Sequence, residues 1–217
     1  MTGLVLAGGL STRFGSDKSR AVLPGGAGDM VDFSLGLLAP LVDEGLAVSC
    51  RPDQMERLRK KGVTLIPDEE SGRPTPLRGL VAALRRTHSS LFVIPCDLPF
   101  MTSDVLSLLV QARKEALQER SKNGGAPLLR TTFIDEKGFL ESLTGIYEAA
   151  GLSYLEDALR QGRLGIWSAL PMQSNCLIPR PDASFFLNMN TREEFARASE
   201  ILANRAPGGM QTPSSTL

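Results

Sequence analysis

The sequence predicts an α/β fold built on a mostly parallel sheet with helices on both faces. Three observations carry that expectation. Apolar runs of strand length recur through the first half of the chain. Segments with helical spacing or helix-start residues separate them. A glycine pair follows the first run directly, where a strand would empty into a loop.

The elements follow in order. Leu4–Ala7, Leu46–Cys50, Val63–Ile66 and Leu91–Pro95 read as buried strands. Asp29 is placed to cap a helix running to about Leu41, and Asp53 to cap one ending before Gly62. Thr75-Pro76 starts another, since proline is tolerated at the first helical position. Leu77, Leu80, Val81 and Leu84 then keep i, i+3, i+4, i+7 spacing. A further helix begins near Thr102 or Ser103 and runs to about Arg120. The second half is less regular. Leu128–Phe133 and Ser142–Tyr147 read as strands of mixed direction, and Leu152–Arg160 as a helix. A short segment runs through Trp167, and Phe185–Leu187 reads as a last short strand. Thr191 and Glu194 form a capping box for a helix ending near Asn204. The expectation is one domain over residues 1–205, with 206–217 a disordered tail rich in Gly, Pro, Ser and Thr.

The chain has 217 residues, enough for one large domain, and a formal net charge of zero. A general binder of nucleic acid or membrane surfaces would need a basic footprint. An anionic ligand must therefore be held by local cations. The three cysteines, Cys50, Cys96 and Cys176, form no CxxC pair. That fits a reducing compartment and no structural metal. Neither a signal peptide nor a membrane span is expected, so the expected localisation is cytoplasmic.

The most informative stretch is Gly8-Gly9-Leu10-Ser11-Thr12-Arg13-Phe14-Gly15-Ser16-Asp17-Lys18. Glycines let backbone N–H groups approach phosphate oxygens closely. Arg13 supplies a planar cationic fork and Lys18 a mobile point charge. The P-loop spacing fails, because Ser16 and Asp17 separate Gly15 from Lys18. The dinucleotide fingerprint fails too, whether counted from Gly8 or Gly9. The bland alternative is a glycine-rich turn with exposed charges.

Taken whole, the string L-A-G-G-x-S-x-R-x-G-x-D-K resembles the signature of the nucleotidyltransferases that move a nucleoside monophosphate onto phosphorylated acceptors. It looks most like the molybdenum cofactor guanylyltransferases, with Phe14 in place of the usual Met. The resemblance continues at Pro67-Asp68, Pro76-Leu77-Arg78-Gly79, Cys96-Asp97-Leu98-Pro99-Phe100 and Asn188-Met189-Asn190-Thr191. It covers the chain from Leu4 to about Leu202. It implies a Rossmann-like three-layer sandwich of the nucleotide-diphospho-sugar transferase type. It also implies transfer of GMP from GTP to molybdenum-bearing molybdopterin, with Mg²⁺ as cofactor and pyrophosphate as leaving group. Relatives specific for cytosine tend to read L-A-A-G at this point, where this chain has Leu6-Ala7-Gly8-Gly9.

The resemblance assigns nucleotide contacts to Leu6, Ala7, Gly8, Lys18, a residue near Ser49, Asp68 and Asp97; Gly9 and Asn190 are further candidates, and Gly79 reads either as letting its helix approach the nucleotide closely or as simple helix packing. Asp97 follows the apolar run Leu91–Pro95, so its carboxylate would point into the ligand crevice of a parallel sheet. Mg²⁺ is hard and often takes one or two carboxylates plus phosphates. Arg13, Lys18 and Asp97 are the expected catalytic residues, and Asp97 the expected metal ligand. Asp68 reads either as a base or ribose ligand or as a solvated turn residue. Asn188 and Asn190 read either as ligands of phosphate, water or acceptor or as loop residues before the Thr191 cap. Arg73, Arg78 and Arg130 are candidate cations for an anionic pterin phosphate. Cys96 reads as a small buried hydrophobe, His88 as a helix end, and Trp167 as packing rather than ligand stacking.

Two alternative functions stay open. One is a cytidylyltransferase of the same cofactor, or a sugar-phosphate nucleotidyltransferase. The other is a non-catalytic protein that delivers cofactor to a molybdoenzyme, suggested by the unusual Pro24-Gly25-Gly26-Ala27-Gly28 stretch. Expected partners are GTP, a molybdopterin-type acceptor and molybdoenzymes or delivery proteins. The chain is expected to act as a monomer.

Overall fold

A computed structural model describes residues 1–9, 11–26, 28–68 and 75–205. Arg73 and the expected tail, 206–217, lie outside the described residues.

Seven strands form one sheet: β1 (Thr2–Leu6), β2 (Leu46–Cys50), β3 (Thr64–Pro67), β4 (Leu91–Pro95), β5 (Arg130–Ile134), β6 (Leu140–Tyr147) and β7 (Asn175–Pro179). Their spatial order is β3-β2-β1-β4-β6-β5-β7. β1 pairs in parallel with β2 and β4, and β2 with β3. β6 runs antiparallel to both β4 and β5, whereas β7 is parallel to β5. Only β6 is therefore reversed, and the sheet is mostly parallel as expected. The helices are α1 (Met30–Leu38), α2 (Met55–Arg59), α3 (Pro76–Thr87), α4 (Ser103–Asn123), α5 (Leu152–Arg160) and α6 (Arg192–Arg205).

The three layers follow from the two-residue repeat of the strands. Val5, Val48, Phe92 and Ile94 face one core with Val31, Leu35 and Leu109 of α1 and α4. Leu4, Ala47, Leu91 and Val93 face the other with Leu77, Leu80, Val81 and Leu84 of α3 and Leu155 of α5. The four α3 residues are the ones whose spacing predicted the helix. Each fully buried aliphatic side chain contributes about 1.5–3 kcal/mol. The α/β alternation is thus fixed by where apolar side chains can go.

Local chemistry sets the helix starts. Asp29 accepts from the amides of Val31 at 3.0 Å and Asp32 at 3.1 Å, and the Asp32 carboxylate accepts from the Asp29 amide at 3.0 Å. Glu194 and Thr191 make the expected reciprocal pair before α6, at 3.1 and 3.0 Å. Helix α3 ends at His88, which takes a left-handed backbone with φ of 53°.

Two expectations need correction. Asp53 does not cap a helix. It pairs with Arg51, and the chain makes a 3-10 turn over Pro52–Gln54 before the short α2. Phe185–Leu187 is no strand, because Asp182 accepts from the Ser184 amide at 2.7 Å and winds a 3-10 turn over Ala183–Phe186. The last strand is instead Asn175–Pro179, an edge strand of half-buried residues whose pattern alternates weakly. Its terminal proline suits a sheet edge.

Candidate functional site

The parallel strands β1, β2, β3 and β4 all end at one edge of the sheet, and a cavity of about 1300 Å³ opens there. Ligands of such sheets bind at this edge. Leu6, Gly8 and Gly9 line it after β1, Ser49 from β2, Asp68 after β3, and Cys96 and Asp97 after β4. Lys18 and Asn188 complete this half.

The centre is the Lys18–Asp97 pair. Lys18 Nζ donates to Asp97 Oδ2 at 2.5 Å and to Asn190 Oδ1 at 3.3 Å. Asp97 is 8 % exposed, and its other oxygen, Oδ1, is buried without a hydrogen-bond partner among the described residues. A buried carboxylate oxygen without a donor is costly, and on the cavity wall it leaves this atom able to accept a ligand. The Asp97 carbonyl accepts from the Met189 amide at 3.0 Å, so the Asn188–Asn190 segment is fastened beside it. No group of three or more His, Cys, Asp or Glu side chains converges among the described residues. A hard cation such as Mg²⁺ can be held by one or two carboxylates together with phosphate oxygens, so Asp97 alone could supply the protein's carboxylate.

A second polar pair lies towards β3. Ser49 Oγ donates to Asp68 Oδ1 at 3.0 Å. Burial pushes the Asp68 carboxyl above its ordinary range, partly offset by the Ser49 hydrogen bond and the charge of Arg51. Two glycines make room for this pair. A Cβ on Gly8 would fall 2.1 Å from Asp68 Oδ2, and one on Gly79 would fall 2.5 Å from Ser49 Oγ. Gly79 is therefore a packing neighbour of Ser49 rather than part of the cavity lining.

The loop between β1 and Lys18 is held by residues the sequence reading did not single out. Gln54 is 2 % exposed. Its Nε2 donates to Ala7 O at 3.2 Å and Asp17 Oδ2 at 2.9 Å, while its Oε1 accepts from the Arg51 amide at 2.9 Å. Arg51 Nη1 reaches Gly9 O at 2.6 Å. From the other side, Arg192 Nε donates to Phe14 O at 3.1 Å, and Phe14 packs edge-on against Phe195. Burial raises the Asp17 carboxyl, but hydrogen bonds from Gln54 and Ser19 and the charge of Arg51 outweigh it and hold the group below its ordinary range. Asp17 caps the 3-10 turn Lys18–Arg20 and so sets where Lys18 leaves the chain. A glutamine after a predicted strand carries no sequence signal of this role.

Other expected residues lie elsewhere. Arg13 is exposed and outside the cavity lining. Arg78 is half-buried on α3, also off the lining. Arg130 is fully buried beneath residues 166–167, so it is no surface cation for a phosphate. Burial pushes the Cys96 thiol up to about 12, in keeping with a buried hydrophobe rather than a nucleophile. Trp167 corrects the packing expectation: it is 68 % exposed and lines the cavity.

Residues 3–163 match the MobA-like NTP transferase domain. The chain belongs to the MobA-like NTP transferase family. A probable molybdenum cofactor guanylyltransferase of Peptoclostridium acidaminophilum is 27 % identical over 215 residues, covering 95 % of this chain and 91 % of that protein. A molybdenum cofactor guanylyltransferase of Shewanella sediminis is 27 % identical over 92 % of this chain and 96 % of its own length. The crystal structure of molybdopterin-guanine dinucleotide biosynthesis protein A from Archaeoglobus fulgidus superposes with a TM-score of 0.72 at 26 % identity, covering 94 % of this chain and all of that one. A 4-diphosphocytidyl-2C-methyl-D-erythritol synthase from Anaerococcus prevotii shares the fold at 11 % identity, with a TM-score of 0.61. As a MobA-like NTP transferase the protein is a nucleotidyltransferase, and its fold is the nucleotide-diphospho-sugar transferase type. No helix among its described residues is long and apolar enough to cross a membrane.

Proposed function

We propose that this MobA-like NTP transferase moves GMP from GTP onto the terminal phosphate of molybdenum-bearing molybdopterin. The observation that carries the reading is the Lys18–Asp97 pair with its unpartnered, buried Asp97 Oδ1 at the end of β4. The relatives named above support the acceptor and the base.

A phosphate oxygen of the acceptor forms a bond to the α-phosphorus of GTP. The bond from that phosphorus to the bridging oxygen of the β-phosphate breaks, and pyrophosphate leaves. The protein supplies no covalent step, so positioning and charge neutralisation dominate. The amides around Gly8 and Gly9 would cradle the phosphates. Lys18, a point charge on a flexible stem, would steady the leaving pyrophosphate, and exposed Arg13 would meet its outer oxygens. Asp97 would hold Mg²⁺, a hard cation that neutralises phosphate charge when bound. Asp68, oriented by Ser49, would accept hydrogen bonds from the base or ribose. Asn190 would orient Lys18, with Asn188 beside it on the cavity wall.

The test is transfer of radiolabelled GMP from GTP to molybdopterin in the presence of Mg²⁺, with CTP as competitor. Labelled dinucleotide cofactor from wild type, lost in Asp97→Ala, is the expected result. Equal product from both proteins, or none from wild type, sinks the proposal. Preferential use of CTP would reassign the base.

A further inference from the structure

Trp167 is the only tryptophan of the chain, and the fold holds it in place while leaving its ring in the open. Arg130, 0 % exposed, donates Nη1 to Ile166 O at 3.2 Å and Nη2 to Trp167 O at 3.4 Å. Arg163 Nη1 donates to Ser168 O at 2.9 Å. Gly165 makes room for the indole: a Cβ there would fall 2.8 Å from Trp167 Nε1. Burying a guanidinium is expensive unless its donors are used. Here Nη1 and Nη2 are used, while Nε has no hydrogen-bond partner among the described residues. The group anchors the backbone of a short turn that presents an exposed ring.

That ring stands on a distinct half of the cavity. Residues 138–144, of the β5–β6 turn and β6, line this half together with Trp167 and Met172. β6 neighbours β4 on the side away from β1. Asp97 at the end of β4 therefore separates this half from the glycine loop, Ser49 and Asp68. Phe139 and Met172, 69 % and 64 % exposed, come from separate segments to the same rim. The carboxylate here, Glu141, is neutralised by Arg180 at 2.7 Å. The surface is mainly apolar and partly aromatic, with Ser142 and Thr144 among its residues and without unpaired charge among those described. It suits a flat heteroaromatic ring, which binds by stacking and burial rather than by charge.

We propose that Trp167 is the face on which the acceptor's fused ring stacks, setting the acceptor's phosphate towards Asp97 and making Trp167 a specificity-determining residue. The assignment rests on the reading that the acceptor carries a pterin. Its test can succeed or fail separately. Free pterin, titrated into the full-length protein with GTP and Mg²⁺, is expected to quench the single tryptophan saturably. In equilibrium dialysis, Trp167→Ala should bind pterin about 5- to 100-fold more weakly, the range of single stacking contacts. Trp167→Phe should stay near wild type, and both variants should melt like wild type. With molybdopterin, the KM for acceptor should rise by the same factor in Trp167→Ala, with the KM for nucleotide unchanged. Equal pterin binding by wild type and Trp167→Ala, or no saturable quenching, overturns the assignment. Pterin binding that depends on Trp167, without nucleotide transfer by wild type, upholds the stacking face and overturns the proposed reaction instead.

Discussion

Lys18 Nζ and Asp97 Oδ2 meet at 2.5 Å across 79 residues of sequence. The contact ties the loop after β1 to the end of the adjacent strand β4 and leaves one buried carboxylate oxygen for a further partner. Lys18 therefore holds Asp97 in place, and under the proposed reaction it would also meet the phosphates. Asp97→Asn keeps the shape but weakens both the ion pair and the metal site. Transfer should fall by about 100-fold or more, in line with removal of a charge-stabilising group. Chelation of divalent cations should abolish wild-type transfer while leaving the melting temperature of the nucleotide-free protein unchanged. Steady-state kinetics and a melting curve check both, and full activity in chelator would refute the metal role.

Gln54 touches the loop and not the cavity. Gln54→Leu removes the donor to Ala7 O and Asp17 and sets an apolar chain beside the half-buried Asp17 carboxylate. We expect about 1–3 kcal/mol of lost stability from the unsatisfied groups. We also expect the KM for nucleotide to rise at least several-fold, with the acceptor KM unchanged. Gln54→Glu should give the same KM split at neutral pH, because a second carboxylate then faces Asp17. A fall in melting temperature alone, with both KM values intact, would make Gln54 a purely structural residue.

Gly79 sits inside helix α3, where alanine is ordinarily better by about 1 kcal/mol. The 2.5 Å approach of an added Cβ to Ser49 Oγ forces that hydroxyl to move, which works against the gain. Gly79→Ala should turn Ser49 away from Asp68 and weaken GTP binding. Gly79→Ala with Ser49→Ala should recover stability, since the clashing hydroxyl is gone, but not affinity. Thermal melts with and without GTP measure both; a more stable Gly79→Ala with normal GTP protection would contradict the packing argument.

Asp68 supplies a pH signature. Burial raises its folded-state carboxyl above the unfolded value. A raised carboxyl favours the folded state at low pH and disfavours it as pH rises through the folded value. Asp68→Asn should therefore melt higher than wild type near neutrality, with the gain shrinking as pH falls through the raised Asp68 value and gone below the ordinary carboxylate range. GTP binding should weaken at the same time. Melting curves from pH 3 to 8 test the sign, and a gain that grows in acid would reject it.

Much of the fold was legible because hydrophobic periodicity reports burial directly. β2, β4 and α5 fall at the expected residues, and the α3 stripe faces the core as its spacing required. The edge strand Asn175–Pro179 was not legible, since half-buried residues at a sheet edge leave little alternation to read. The Phe185–Leu187 stretch looked extended because aromatic residues favour strands, yet the Asp182 cap wound it into a turn that packs Phe186 against Phe133.

By itself, the sequence determined the layered α/β architecture, the family, and the loop Gly8–Lys18 with Asp97 as a carboxylate at a strand end. Those features are carried by short runs and motifs, each readable in a few consecutive residues and repeated in order along the chain. The tertiary structure alone decided which groups meet. It put Lys18 on Asp97, set Gly8 and Gly79 against the Asp68–Ser49 pair, recruited Gln54 and Arg51 to hold the loop, and buried Arg130 beneath an exposed Trp167. Such partnerships depend on strand order and on the side to which each chain crossing returns, and no short window of sequence carries that information.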